Sequence, residues 1–239
     1  MVMQIHSEVL ADFLSKVSMK GKVEKIYLWS DKVGLHASIS MENSIFVKGI
    51  LYREAFLYYE EGIEIGIKSV TTLLKILQNI NDKIDVTIDN NYLMIGSDKR
   101  DVEYILASKE FIEGHYSGIV SFSYNKELHF SIGFFVQLNK NAVALKGDRV
   151  KFTVLNNELK VNIQNNSDAI IEKLTCVSPD LTCSFGSWLM GIFPSLTSEI
   201  IKVGLASNYP IRIADDEEGV MLVEYFVSPL IEDENIIVE

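Results

Sequence analysis

The side chains best suited to metal binding or nucleophilic chemistry are two cysteines and four histidines. Cys176 and Cys183 have six residues between them in "CVSPDLTC", with no histidine nearby. The four histidines are scattered along the chain, at His6, His36, His115 and His129. A structural zinc site needs about four nitrogen or sulfur ligands. The sequence therefore predicts reduced, buried thiols and neither a metal site nor a cofactor.

Recognisable catalytic motifs are also missing from the sequence. It has no glycine-rich phosphate loop, no nucleophile elbow and no pair of carboxylates at a spacing that suggests acid-base catalysis. We therefore expect a protein that is not an enzyme and that acts by binding.

Lysine and arginine are the remaining candidates for chemistry, because they could bind phosphate. The chain carries 22 of them against 33 acidic residues, a formal net charge of −11. Residues 215–239 contain nine acidic residues and no basic one. An acidic protein repels nucleic acid unless its bases are gathered on one protected surface.

Composition indicates a globular protein inside the cell. The chain is 48% hydrophobic and 23% charged, which is enough apolar material for a substantial core. The opening "MVMQIHSEVLADFLSK" lacks a basic start followed by an apolar run, and no stretch of about 18 apolar residues occurs. We expect an intracellular protein that does not enter a membrane.

Four segments have the apolar spacing of an amphipathic helix. "SEVLADFLSKV" and "SVTTLLKILQNI" are the clearest, with Ser7 and Ser69 as candidate N-caps. "KELHFSIGFFVQLNKN" and "SFGSWLMGIFPSL" repeat the pattern in the second half, although glycine and proline weaken them. The segments between them alternate like strands, with Asn/Asp-rich turns.

The order helix, strands, helix, strands therefore occurs twice. This order predicts an α+β protein with two similar domains, each with two helices against an antiparallel sheet. We assign residues 1–107 to the first domain, 108–115 to a connector and 116–239 to the second domain.

Several motifs resemble the sliding clamps of the proliferating cell nuclear antigen (PCNA) family. The ending "YPIRIADDEEGVMLVEYFVSPLIEDE" is similar to that family's last two strands and its Ala-Pro-Lys/Arg-Ile-Glu-Asp-Glu-like terminus, with Leu230 in place of the usual base. Further similar stretches follow the family's order along nearly the whole chain: "SMENSIFV", "IGIKSVTTLLKIL", "HYSGIV" and "DRVKF".

The resemblance implies a closed ring in which protomers join head to tail. On this interpretation, residues 101–108 of one protomer pair edge to edge with residues 158–165 of the next. The implied function is that of a DNA polymerase processivity factor in DNA replication and repair, a homotrimer that encircles duplex DNA without reading its sequence. Implied partners are DNA polymerase, a clamp loader, and a nuclease or ligase. The compartment would be the cytoplasm in a prokaryote or archaeon and the nucleus in a eukaryote.

Two alternatives stay open. The chain could be one subunit of a heterotrimeric or checkpoint-type clamp, or an acidic clamp-like scaffold that does not encircle DNA. The poorly basic second half slightly favours the heterotrimer.

The lysines that would face DNA are predicted from helical geometry and from nearby loops: Lys16, Lys20, Lys68, Lys75, Lys126 and Lys140. The face opposite the apolar stripe of the second helix shows Lys68, Thr72, Lys75 and Asn79. The first helix instead presents Glu8, Ala11, Asp12 and Ser15, with Lys16 at the flank. The third segment exposes Lys126, Phe130, Gly133 and Gln137, and the fourth only Ser187 and Met190.

The resemblance also implies an outer hydrophobic pocket that accepts a short helical peptide with aliphatic and paired aromatic anchors. The matching positions are Met41, Ile45, Phe46, Phe111, Ile112, Pro210, Phe226, Val227, Ser228 and Pro229. Glu232, Asp233 and Glu234 would attract basic residues that flank such a motif. The connector is shorter than is usual in the family, and Ile45 stands where the family has histidine.

Overall fold

A computed structural model describes residues 2–41, 44–80, 82–89, 91–108, 112, 122, 124, 126–165, 168–175, 180–207 and 209–230. Its contacts divide the chain into two units. The first unit comprises Met1–Glu42, Phe46–Ile119 and Asp215–Glu224, and the second comprises Asn43–Ile45, Val120–Ala214 and Tyr225–Glu239.

The first half of the chain supplies eight strands and two helices. In order they are β1 (Val2–His6), α1 (Ser7–Val17), β2 (Ile26–Ser30), β3 (Gly34–Met41), β4 (Ile45–Tyr52), β5 (Glu64–Ile67), α2 (Val70–Gln78), β6 (Lys83–Asp89), β7 (Tyr92–Ser97) and β8 (Arg100–Ile105). A short 3-10 turn, Arg53–Ala55, follows β4.

The second half repeats this order among its described residues. Its elements are β9 (Lys126–Ser131), α3 (Ile132–Leu145), β10 (Arg149–Leu155), β11 (Glu158–Gln164), β12 (Ala169–Thr175), β13 (Leu181–Gly186), α4 (Ser187–Ile192), β14 (Ile200–Leu205), β15 (Ile211–Glu217) and β16 (Met221–Val227). A 3-10 turn, Phe193–Ser195, follows α4. β15 and β16 contribute residues to both units.

The sheets of the first unit are antiparallel wherever register is defined. β1, β6, β7 and β8 form one sheet in that order. β5, β2, β3 and β4 follow one another in a second sheet, where β4 is next to β16. β1 and β4 turn alternate residues into the core, as strands with one buried face do.

In the second unit, β12, β11, β10 and β13 form an antiparallel sheet in that order. β14 pairs with β9, also antiparallel. β11 therefore has a partner along its full length on both sides, so the prediction that residues 158–165 form an open edge is wrong. Among the described residues, the outer strands of this sheet are β12 and β13.

The predicted bounds of the first two helices agree with the observed bounds within two residues. α1 fully buries Phe13, Leu14 and Val17, which recur on one face. Ser69 is confirmed as the N-cap of α2, since its hydroxyl accepts a hydrogen bond from Thr72 N–H. Ser7 is not the N-cap of α1. It is the first helical residue, and its hydroxyl donates to the Ile80 carbonyl.

The later helices differ more from the prediction. α3 begins at Ile132, six residues after the predicted start, because "KELHFS" forms β9. α4 has only six residues, since β13 continues through Gly186 and Pro194 lies in the 3-10 turn.

Candidate DNA-facing and partner-binding surfaces

The exposed side of α2 has the composition predicted for it. Lys68, just before the helix, is exposed, as are Thr72, Lys75 and Asn79. The N-terminal turn is held by the Glu24 carboxylate, which accepts hydrogen bonds from the hydroxyls of Thr71 and Ser69. The bond from Thr71 is the main reason that the pKa of Glu24 is lowered. α2 thus begins from a fixed position and presents cations to solvent.

Lys16 does not belong to such a surface. Its side chain is 1% exposed, and Nζ lies 3.4 Å from Asp12, 3.2 Å from Asp215 and 3.7 Å from Glu217. A buried ammonium requires paired carboxylates, and these already neutralise it. The prediction that Lys16 faces DNA is therefore corrected, and the exposed cation expected at the flank of α1 is absent.

The rest of α1 presents carboxylates to solvent. Glu8 is exposed and Asp12 is 41% exposed, whereas Ala11, predicted on the same face, is buried. The exposed face of α1 is therefore negatively charged, whereas the exposed face of α2 is positively charged.

The turn after α1 carries Lys20 in a constrained backbone. Met19, Lys20 and Gly21 have φ values of 51°, 57° and 80°, three successive left-handed residues. The buried Ser18 hydroxyl accepts the Gly21 N–H at 3.0 Å, which fixes the turn. Lys20 is exposed at its tip. Its position is therefore set by the backbone rather than by a flexible loop.

A base missed by the sequence analysis lies near Lys75. Arg100, at the start of β8, lines with Lys75 and Asn79 a groove of about 260 Å³ beside α2. Only the folded topology brings residues 75 and 100 together, because they lie on different elements.

The helices of the second unit, both within the described residues, carry one cation between them. Lys140 is exposed on α3, beside Gln137 and the largely exposed Val136 and Val143. Phe130 lies on β9 rather than on the helix, with its ring stacked on Phe134 at 4.8 Å. On α4, Ser187 is exposed but Met190 is buried. The Lys126 side chain lies outside the described part of the structure.

An aromatic cluster in the second unit surrounds the end of β16. The Phe122 ring centroid lies 5.8 Å from that of Phe226, 6.3 Å from Tyr209 and 6.5 Å from Tyr124. The Tyr124 hydroxyl donates to the Pro210 carbonyl at 2.9 Å. Aromatic pairs at these distances stabilise one another beyond their burial.

The predicted pocket residues of this unit divide into a floor and a rim. Ile45, Phe226 and Val227 are buried, while Pro210 and Pro229 are half-buried and Ser228 is exposed. Ser228 N–H donates to the Ser44 carbonyl, and Leu230 N–H donates to the Ser184 carbonyl. Tyr209 is 48% exposed beside them. The predicted pocket did not include Phe122, Tyr124 or Tyr209, although "SFSY" and "NYP" place aromatics close to the predicted positions.

The other predicted pocket residues belong to the first unit. Met41 and Phe46 are half-buried, and Ile112 is buried against Gly66. A Cβ on Gly66 would lie 3.0 Å from Ile112 Cγ1 and 2.5 Å from the Ala107 carbonyl oxygen, so glycine permits this close packing. Phe111 and Glu232, Asp233 and Glu234 lie outside the described residues.

Cys183 is a free thiol in the core, as predicted. It is buried, and burial raises the pKa of its thiol to about 12. Cys176 lies outside the described residues. Across the described ranges, no group of three or more His, Cys, Asp or Glu side chains could hold a metal. None of the helices in those ranges is long and apolar enough to cross a membrane.

Comparison with solved structures gives a consistent result. The proliferating cellular nuclear antigen of Entamoeba histolytica matches with a TM-score of 0.81 at 15% identity, over 96% of this chain and 98% of that one. A. fulgidus PCNA, solved with the C-terminal region of FEN-1 bound, matches with a TM-score of 0.84 at 18% identity, over 98% of this chain and 99% of that one. One chain of the PCNA2-PCNA3 complex of Sulfolobus tokodaii matches with a TM-score of 0.78 at 12% identity, over 97% of this chain and 100% of that one.

No protein-family model matches the sequence, and no curated protein does. The structural matches show a shared fold and confirm the predicted α+β clamp fold.

Proposed function

We propose that this chain, which has the fold of the PCNA sliding clamps, is a subunit of a clamp that encircles duplex DNA and increases the processivity of DNA polymerase. The observation that supports the proposal most directly is the extent of the match, which covers nearly all of this chain and of each clamp. The proposed role needs no catalytic site, since a clamp acts by binding.

The DNA-facing surface in this proposal consists of Lys20, Lys68, Lys75 and Lys140, with Arg100 added and Lys16 removed. Lys126 stays in the proposed set. Lysines that contact phosphate hold DNA without reading its sequence, which is what sliding requires. Glu8 and Asp12 on α1 oppose the attraction, so we expect weak binding that is strongly reduced by salt.

The partner-binding surface in this proposal is the rim around Tyr209, Pro210, Ser228 and Pro229, over the buried Phe226. An exposed aromatic above an apolar floor suits a peptide with apolar anchors. Polymerase, clamp loader, nuclease or ligase would dock there through short motifs. The protein would act inside the cell.

We propose a homotrimer as the assembled form. One alternative is the acidic scaffold. It is favoured by α1, a helix of the proposed bore that exposes carboxylates but no cation, because Lys16 is buried and paired. A heterotrimeric ring remains the other alternative.

The encircling of DNA can be tested by loading the clamp on a singly nicked plasmid with the clamp loader of the same organism, then linearising the plasmid. A topologically bound ring stays on the circle and leaves the linear product. Retention on neither form at low salt would contradict the proposal and support the scaffold.

Lys68→Glu combined with Lys75→Glu tests the surface itself. We expect weaker loading. The plot of log binding constant against log salt concentration should become less steep by about two for each engaged copy, because each lost phosphate contact reduces that slope by about 0.9. Lys32→Glu, an exposed lysine in the turn between β2 and β3, is the matched control. An equal effect of both changes would remove Lys68 and Lys75 from the DNA path.

A further inference from the structure

One face of the sheet formed by β12, β11, β10 and β13 is basic. Buried residues alternate along β10 and β11 and lie on the side that packs against α3 and α4. The opposite side, called here the basic face, carries four cations: Arg149, Lys151, Lys160 and Lys173. Among the described residues of these four strands, the only carboxylate on the basic face is that of Glu158. The Glu172 carboxylate turns the other way and accepts a hydrogen bond from Asn141 on α3.

The strand register places these cations side by side. Lys173 lies directly opposite Lys160, and their ammonium groups are 3.9 and 3.6 Å from the single Glu158 carboxylate. Lys151 lies on the next strand, with Arg149 two residues before it. Neighbours on one face of a sheet are roughly 5–8 Å apart, and like charges directly opposite one another are destabilising. Further negative charge at the basic face would therefore stabilise it.

Duplex DNA inside the proposed clamp is on the wrong side to supply that charge. The proposed DNA-facing Lys140 belongs to α3, and α3 packs against the other side of this same sheet. The chain as a whole has a formal net charge of −11, so four cations around one carboxylate are also unusual for this sequence. The anion that fits the basic face is therefore not the duplex.

The chain itself reaches the basic face just before an acidic segment. Leu230 N–H donates to the Ser184 carbonyl at 2.7 Å, and Ser184 lies directly opposite Lys151 in the pairing of β13 with β10. A Cβ on Gly186, which lies opposite Arg149, would be 3.8 Å from Leu230 Cδ2. Leu230 is thus anchored at the β13 margin of the basic face.

The residues after Leu230 carry charge of the opposite sign. Residues 231–239 lie outside the described part of the chain, and their sequence contains four acidic residues and no basic one. An extended chain advances about 3.3 Å per residue, so Glu232 and Glu234 can reach roughly 7 and 13 Å beyond Leu230. At about 4.8 Å between strands, the whole sheet is only about 14 Å wide. These carboxylates can therefore reach Lys151 and Lys160.

We propose that residues 231–239 bind the basic face of their own unit, with Glu232, Asp233 and Glu234 over its cations. The three carboxylates supply the negative charge that Glu158 alone does not. Because Leu230 tethers the segment, its local concentration is roughly millimolar, which favours it over an acidic segment of another molecule. The contact joins exposed charges, so it is weak, reversible and sensitive to salt.

This contact would regulate the partner site proposed above. Ser228 and Pro229 of the rim come directly before Leu230, and the acidic segment is expected to attract basic residues beside a partner's motif. A partner would have to release the segment from the basic face before using its carboxylates. This consequence rests on the proposed function, whereas the contact with the basic face does not.

Lysine acetylation of the full chain, measured by mass spectrometry, tests the contact. A carboxylate beside an ammonium group favours the charged form, which does not react. The full-length variant that combines Glu232→Gln, Asp233→Asn and Glu234→Gln removes those carboxylates. We expect acetylation of Lys151 and Lys160 to become about two- to fivefold faster, in line with the strength of an exposed ion pair. High salt should accelerate it in the wild type as well.

Two controls separate this contact from a general effect of charge. Lys99, exposed in the turn between β7 and β8, should react at the same rate in both proteins. A second variant removes three exposed carboxylates of the first unit and should leave the acetylation of Lys151 and Lys160 unchanged: Glu54→Gln, Glu61→Gln and Glu218→Gln.

Equal acetylation rates of Lys151 and Lys160 in the wild type and the Glu232, Asp233 and Glu234 variant would overturn the proposal. Added oligothymidylate that slows the reaction equally in both proteins would also overturn it, and would identify the basic face as a surface for single-stranded nucleic acid. Without oligothymidylate, the assay contains no DNA, clamp loader or partner peptide. Its failure is therefore distinguishable from failure of the clamp function.

Discussion

Lys16 and Asp215 form an ion pair that is closed to solvent: Nζ lies 3.2 Å from Oδ1, and the two side chains are 1% and 0% exposed. The pair ties α1 to β15 across 199 residues of sequence. Lys16, which the sequence places at the edge of a helix face, thus joins α1 to β15 within the first unit.

Replacing Lys16 by alanine should lower the free energy of unfolding by about 3–5 kcal/mol, because Asp215 then loses the ammonium that compensates its burial. Urea denaturation measures the loss. The double variant Lys16→Met with Asp215→Leu removes both charges and should recover most of the stability.

Lys75→Ala is the control for Lys16, since the Lys75 side chain is exposed and should change stability by less than about 0.5 kcal/mol. Equal stability of Lys16→Ala and Lys75→Ala would show that the buried pair is not stabilising.

Gly21 and Gly219 both have positive φ, at 80° and 74°, but only Gly21 is crowded. A Cβ at Gly21 would lie 3.0 Å from Thr71 Oγ1, whereas one at Gly219 would meet nothing within 4 Å. Gly219→Ala should cost about 1 kcal/mol through backbone strain alone. Gly21→Ala should cost more, because the turn must also shift away from α2. Equal costs in urea denaturation would show that the contact with Thr71 is unimportant.

Glu24 should make stability depend on pH in the acid range. Its pKa is lowered in the folded chain, chiefly by the hydrogen bond from Thr71, from an ordinary value of 4.5. The stabilisation is therefore present above 4.5 and is lost as pH falls through the lower folded value.

Glu24→Gln should be less stable than the wild type at neutral pH, by no more than about 1 kcal/mol since the site is exposed. The difference should shrink as the pH falls below 4.5. Thermal unfolding of both proteins between pH 3 and pH 7, about the range in which a carboxylate titrates, measures it. A difference that is constant over this range would exclude the carboxylate as its cause.

The parts of the fold that the sequence predicted best are those set by local pattern. The apolar spacing around Phe13 and Leu73 located α1 and α2, and Ser69 located the start of α2. The parts that failed depend on distant residues. Lys16 is buried because Asp215 lies beside it, and β11 is interior because β12 pairs beyond it. Neither fact has a signal within the local sequence. The start of α3 failed because a strand and a helix adjoin at Ser131 without a turn between them.

The proposed partner site is best tested at its rim, because its floor is part of the core. Phe226 is 6% exposed and its ring lies 5.8 Å from that of Phe122, so Phe226→Ala should cost about 3–5 kcal/mol of stability and would confuse binding with unfolding. Tyr209→Ala combined with Pro229→Ala changes exposed or half-buried side chains; it removes the Tyr209 ring from beside Phe122 but keeps the contact between Phe122 and Phe226. We expect at least about a tenfold loss of affinity for a synthetic peptide with aliphatic and paired aromatic anchors, measured by fluorescence anisotropy, because exposed aromatics dominate such contacts.

Tyr58→Ala, which removes a 51% exposed tyrosine of the first unit, is the matched control and should leave peptide affinity unchanged. If the rim variant binds the peptide as the wild type does, the aromatic cluster of the second unit is a structural element and partners dock elsewhere.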